Sequence, residues 1–166
     1  MPTSTEQTLY TTIASPIGEL LLVGDGVTLS GLYMQDGRKP RPIATTWTES
    51  AAPFAEVTAQ LREYFAGERT TFEVQLAPPG APFELEVWRA LREIPYGETV
   101  SYGEIARRVG QPTAARAVGT ANGRNPIAVI VPCHRVIGAD GSLTGYGGGL
   151  ERKRLLLELE QGQARL

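Results

Sequence analysis

A chain of 166 residues, 42% hydrophobic and 20% charged, has the make-up of a folded domain or two small ones rather than a disordered polymer. No apolar run approaches the roughly 18 residues that would cross a bilayer, and the opening "MPTSTEQTLYTTIASPIG" lacks the basic patch and apolar stretch of a secretory signal. One cysteine and one histidine exclude an internal disulfide and a four-ligand structural zinc site, and a lone thiol fits a cytoplasmic protein. The net charge of −2 hides an asymmetry: residues 1–81 carry five Lys/Arg against nine Asp/Glu, residues 82–166 eleven against nine. Within residues 101–135 five arginines face the single acid Glu104, which points to a polyanionic partner for the second half.

In chain order, "GELLLVGDGVTLSGLYM" predicts two β-strands joined at the turn Gly24–Gly26. A Pro-, Thr- and Arg-rich loop follows near 36–50. "PFAEVTAQLREYFAGE" places Phe54, Val57, Leu61, Tyr64 and Phe65 on one helical stripe, with Gly67 as its stop. "TTFEVQL" reads as a further short strand. This half is a small α/β unit in which no chemistry is legible. "LAPPGAP" at Leu76–Pro82 interrupts regular structure. The expected division is therefore an N-terminal scaffold over 1–77, a linker at 78–82 and a functional domain over 83–166.

Beyond the linker, "FELEVWRALREI" aligns Phe83, Val87, Leu91 and Ile94, and Pro95 follows. "SYGEIARRVG" opens on Ser101 with Glu104 three places on, the pattern of a capping box, and Gly110 and Pro112 end it. "TAARAVGTANG" is a second short helix of small residues. A last helix spans about Leu150–Gln161, with Gly162 as its cap. The expected fold is α+β: antiparallel strands with a helix first, then a mainly helical unit containing a helix-turn-helix. The second helix of that pair can approach a neighbouring helix or a DNA groove equally well, and Arg116 is the only long side chain near its start. It is poor in base-reading side chains, which disfavours sequence-specific regulation.

The lone thiol, Cys133, stands beside the lone imidazole, His134, in "IAVIVPCHRVIGADGSLTGYGGG". A free thiol titrates near 8.5 and needs a base or a positive charge to become a nucleophile. On a strand the two side chains would diverge. Pro132 and the downstream glycines favour a turn, in which they can converge directly or through a water, with Arg135 adding charge. The base needs an orienting carboxylate, and Glu158 and Glu160 are both placed for it. The alternative is an inert buried thiol.

"IPYGETVSYGEIARRVG", "AARAVGTANGRNP", "VPCHRVIG", "GYGGG" and "RKRLLLELE" together resemble, in order and spacing, the O6-alkylguanine-DNA alkyltransferases of bacterial type, across nearly all of residues 83–161. "SPIGELLL" is a weaker similarity in the first half. The resemblance implies that Cys133 accepts the alkyl group, that His134 acts on it through a water, and that Glu160 rather than Glu158 orients the imidazole. It implies that Asn125 holds the active-site turn and that Tyr102 helps rotate the nucleotide and interacts with the guanine. Arg116 would fill the gap left in the duplex, and Ala115, Ala121 and Arg124 would join it at the DNA. Val136, Tyr146, Gly147 and Gly148 would wall the base pocket.

The implied reaction is one irreversible transfer from O6-alkylguanine in double-stranded DNA, approached from the minor groove after base flipping. It would use no cofactor and no metal, and the protein would act as a monomer in solution with room for cooperative binding along DNA. Ala128 replaces a proline found in some members, and Gly147 a serine or arginine, which bears on bulky alkyl groups. The chain lacks the zinc ligands of human-type members and the extra cysteine-rich domain of regulatory ones, so no transcriptional role is expected. Two other readings stay open: a non-catalytic helix-turn-helix DNA-binding protein, and a Cys-His-Glu thiol hydrolase.

Overall fold

The computed structural model describes residues 7–37, 40–146 and 148–166. Four strands, β1 (Leu9–Ile13), β2 (Leu20–Gly24), β3 (Leu29–Met34) and β4 (Thr48–Glu49), form a sheet in the order β3-β2-β1-β4. The β1–β2 and β2–β3 pairs are antiparallel and β1–β4 is parallel. β2 is buried at every position, which is why "LLLVG" shows no alternation. Its turn is closed by Asp25, whose carboxylate accepts from the amides of Val27 and Thr28 at 2.9 and 2.7 Å. β1 and β4 went unforeseen: "LYTTI" buries only Thr11, and β4 is two exposed residues inside the expected loop.

The strand expected at "TTFEVQL" does not form; one bridge, Leu29 to Leu76, is all that pairs there. Gln60 supplies the reason. Its side chain takes both backbone groups of Glu73, accepting from N at 2.9 Å and donating to O at 3.2 Å, so no neighbouring strand is needed at that point. Pro78 and Pro79 then stop any ladder. Helix α1 (Ala55–Phe65), entered through a 3-10 turn at Ala52–Phe54, buries the five residues of the predicted stripe. It ends at Gly67, whose φ of +77° suits glycine.

The second half contains α2 (Pro82–Leu91), β5 (Val100–Ser101), α3 (Tyr102–Arg108), α4 (Ala115–Gly123), a 3-10 turn at Cys133–Arg135, β6 (Val136–Ile137) and α5 (Leu150–Glu160). The helix pair α3–α4 is the expected helix-turn-helix, and the mixed α+β class holds. Only half of the capping box forms. The Ser101 hydroxyl accepts from the Glu104 amide at 3.1 Å, but the Glu104 carboxylate turns away to Arg107 and Arg108. The parallel pair β5–β6 sets the start of α3 beside the strand that leaves the Cys133 turn.

One apolar core runs through both halves, from Leu20 and Leu32 in the sheet through Leu61, Leu91 and Ile105 to Leu156. β3 also reaches across the linker: the Leu32 amide donates to Pro126 O at 2.8 Å, and the Ala128 amide to Leu32 O at 3.1 Å. The sheet thus grips the segment that leads to Cys133. Among the described residues no helix is long and apolar enough to cross a membrane.

Trp88 on α2 is 2% exposed and donates from its indole nitrogen to Ala121 O on α4 at 2.8 Å. Trp88→Ala removes a buried indole and one of two donors to that carbonyl, which keeps the Arg124 amide at 3.1 Å, and should lower the free energy of unfolding by about 3–5 kcal/mol, read by urea denaturation. A loss under about 1 kcal/mol would show that α2 and α4 do not pack this way.

Candidate active site

The segment from Asn125 to Cys133 is shaped by one side chain. The Asn125 amide donates to Val131 O at 2.8 Å and Ile127 O at 3.3 Å, and its oxygen accepts from the Ile127 amide at 3.0 Å. Within this staple Val129 adopts φ of +70°, a left-handed conformation that a β-branched residue avoids. The strain is held by burial, since Val129 is 1% exposed, and it sits four residues from the thiol. Pro132 then leads into the 3-10 turn, so Cys133 and His134 leave the backbone on a tight curve.

His134 and Glu160, chosen from the sequence, meet: His134 Nε2 lies 2.7 Å from Glu160 Oε2, and both side chains are fully buried. Glu158 instead pairs with Arg154 on the outer face of α5. The two remaining donors to Glu160 were not foreseen. Arg135 forks onto the carboxylate, Nε to Oε1 at 2.8 Å and Nη2 to Oε2 at 3.0 Å, and caps Ile94 O at 2.6 Å through Nη1. Tyr64, from α1 of the first half, donates its hydroxyl to Oε2 at 2.5 Å. Burial raises the Glu160 carboxyl, but the His134 and Arg135 contacts outweigh it and hold it down to about 2. Burial lowers His134 more than Glu160 raises it. Neutral imidazole with Nε2–H on Glu160 leaves Nδ1 bare, and that atom has no partner among the described residues.

Cys133 is 5% exposed, and burial raises its thiol. Four groups offset this in part: the Asn125 side chain, the charge of Lys153, the backbone amide of Cys133 itself and the Tyr146 hydroxyl. Arg135, expected to supply the positive charge, is committed to Glu160; Lys153 supplies it. Lys153 is fully buried, donates to Val136 O at 2.7 Å and Thr144 O at 2.8 Å, and has its ammonium lowered by burial to about 8. The signal for it was in "RKRLLLELE": a lysine among leucines on the inward side of the last helix. Cys133 and His134 make no direct hydrogen bond. The Cys133 carbonyl is held by Asn122 Nδ2 at 3.4 Å.

The thiol lines a cavity of about 310 Å³. Asn125, Ala128, Tyr146 and Gly148 wall it from the second half, and Tyr33, Met34 and Arg41 from the first. Arg124 stands at it too, exposed and 3.5 Å from Glu84. Val136, expected in this wall, does not line it: its side chain is fully buried and its carbonyl is taken by Lys153. Gly147 lies outside the described residues. Tyr102 stands apart from the cavity, half-buried, with its hydroxyl 2.9 Å from Thr144 Oγ1.

On α4, Val118 and Asn122 turn inward while Arg116, Ala117, Thr120 and Gly123 form a smooth outer face. Ala115 is half-buried at the helix start. Ala121, expected to face DNA, is 2% exposed because the helical period turns it toward Trp88. The five arginines of residues 101–135 are not five free charges. Arg107 and Arg108 pair with Glu104, and Arg135 is buried on Glu160. Among the described residues no cluster of three or more His, Cys, Asp or Glu could hold a metal ion.

Glu160 is ionised in the fold at a pH where the unfolded chain is already protonated, so its stabilisation is complete above about 4.5 and fades as pH falls toward 2. Glu160→Gln leaves Arg135 buried without a counter-ion and should destabilise by about 3–5 kcal/mol at pH 7. That gap should shrink between pH 4.5 and 2 in urea titrations; a gap independent of pH would refute the assignment.

Comparisons with known proteins bear on the family of the chain. Family models described as the ribonuclease-like domain and the DNA binding domain of 6-O-methylguanine DNA methyltransferase match residues 8–78 and 82–162. The methylated-DNA–protein-cysteine methyltransferase of Mycobacterium bovis is 58% identical over 155 residues, 93% of each chain. That of Methanosarcina acetivorans is 54% identical over 151 residues, 91% of this chain and 97% of the relative. The crystal structure of Mycobacterium tuberculosis OGT in complex with DNA superposes with a TM-score of 0.88 at 57% identity, covering 95% of each chain. With both halves matched and more than half of the aligned residues identical, this chain belongs to the 6-O-methylguanine DNA methyltransferase family.

Proposed function

We propose that this chain repairs O6-alkylguanine in duplex DNA by moving the alkyl group to Cys133 in one irreversible step. One observation carries the reading: the only thiol of the chain lines a cavity while its neighbour His134 sits fully buried on an ionised carboxylate. Family membership supports the same chemistry. The resting thiol is kept protonated by burial, which protects it between encounters. When the extruded base fills the cavity, the sulfur proton passes to His134 Nδ1 through one water. Glu160 steadies the imidazolium that forms, and Lys153 favours the thiolate. Sulfur attacks the alkyl carbon in line, the C–S bond forms, and the C–O electron pair returns to guanine. The Tyr102 hydroxyl leaves Thr144 and its side chain turns toward the bound base, so that it donates a hydrogen bond to the leaving group. The product thioether is stable, so each molecule acts once and no cofactor is required.

The outer face of α4 enters the minor groove, where its small side chains fit closely and Arg116 fills the gap left by the flipped nucleotide. Ala115 and Arg124 flank it. Residues 83–166 carry the reaction, residues 1–77 frame the cavity, and 78–82 join them. The protein acts as a cytoplasmic monomer, with cooperative binding along DNA as a further property. Family membership disfavours a hydrolase reading, since both halves match methyltransferase family models.

Incubation with methylated duplex DNA should raise the protein mass by a single methyl-for-hydrogen exchange, located in the Cys133 peptide, with one lesion consumed per molecule. Turnover beyond one equivalent, or an unmodified Cys133, would reject the reading. Arg116→Ala should slow repair of duplex DNA by at least about tenfold while leaving reaction with free O6-alkylguanine base nearly unchanged. Equal slowing of both would remove Arg116 from the DNA face.

A further inference from the structure

The first half does more than frame the cavity: we infer that Tyr64 is a positioning residue of the reaction, its hydroxyl holding Glu160 Oε2 so that His134 stays neutral with Nδ1 free. This rests on the proposed role of His134 as the base that takes the Cys133 proton. Tyr64 is fully buried on α1, 96 residues from Glu160 in sequence, and donates at 2.5 Å to the same oxygen that His134 Nε2 approaches at 2.7 Å. Arg135 already fixes the carboxylate plane through its two-point fork. The plane is thus set by Arg135, and what the phenol adds at Oε2 falls chiefly on charge. Each donor to Oε2 withdraws electron density from it and weakens its hold on the imidazole proton. Tyr64 thus limits how strongly Glu160 favours imidazolium, and leaves His134 able to accept a proton only when the thiol releases one.

The surroundings leave few competing groups. Arg135 approaches from the 3-10 turn, Lys153 from α5 and Tyr96 from the segment between α2 and β5, with Cys133 and Tyr146 on the cavity side. The two cations oppose protonation of His134, and Glu160 is the only anion among these groups to favour it. Removing the Tyr64 hydroxyl changes none of the cations and frees the one anion. The titration of His134 should therefore move up.

The chain has a single histidine, so its imidazole ¹⁵N signals need no assignment in protein prepared without an affinity tag. In the wild type they should report the Nε2–H tautomer and a midpoint below 6.5. Tyr64→Phe should raise that midpoint by roughly 0.5–1 unit. The acid limb of single-turnover repair should rise with it: about two- to fivefold slower at the wild-type midpoint, unchanged two units above. Phe72→Leu serves as the packing control, because Phe72 touches the Tyr64 ring at 5.5 Å between centroids without bonding Glu160. It should leave the midpoint in place. An unmoved midpoint in Tyr64→Phe, or an equal shift in Phe72→Leu, overturns the inference. A midpoint that moves while the rate limb does not overturns His134 as the base, and the role of Tyr64 in the reaction falls with it.

Discussion

A carboxylate with no solvent exposure survives ionised only if its lone pairs are filled, and Glu160 fills them from three directions. His134 and Arg135 come from the turn that carries the thiol, and Tyr64 comes from the helix of the first half. In a low-dielectric interior an ionised group without such donors would be driven to its neutral form. The donors are anchored on two elements, the turn and α1, and the carboxylate on a third, so it also fixes distances: the last helix cannot slide against the turn or against α1 without breaking a charged hydrogen bond. Both the fold around the thiol and the electrostatics of the neighbouring imidazole follow from this one buried anion.

The thiol itself depends on a second constraint. A strand would send Cys133 and His134 to opposite faces, and a relaxed loop would leave both wet. The chain instead holds Val129 in a left-handed conformation, pinned by Asn125 below and by the edge of β3 across the linker. Backbone strain of this kind persists only where surroundings over-determine it. Here Ile127, Val129 and Val131 lock into the core while the next residues curl outward, placing sulfur at the cavity and imidazole in the interior.

Charge in this molecule is mostly spent internally. Glu104 pairs with two arginines on α3 and offsets one of their two charges, Glu160 takes a third arginine, and Lys153 is buried near the thiol. What faces outward on α4 is a smooth strip of Ala, Thr and Gly with Arg116 at its head. Such a surface favours close approach over long-range attraction, which matches a protein that must find a damaged base rather than a particular sequence.

The sequence by itself determined the periodic and the local. The stripe of α1, the buried run of β2, the helix pair, the final helix and the stop at Gly67 follow from side-chain spacing, which backbone geometry converts directly into buried faces. The Cys-His-Arg segment and the ordered motifs around it also pointed to the family and to Cys133, His134 and Glu160. Tertiary structure alone decided which partners those groups meet. Nothing in the chain order of "AEVTAQLREYF" shows that Tyr64 reaches a carboxylate near the other terminus, or that Arg135 serves Glu160 while Lys153 serves the thiol. It also turned Ala121 and Val136 inward, and let Gln60 satisfy a backbone that was expected to pair as a strand. These outcomes rest on contacts between residues far apart in sequence, where burial and hydrogen-bond satisfaction are settled only once all the elements have packed.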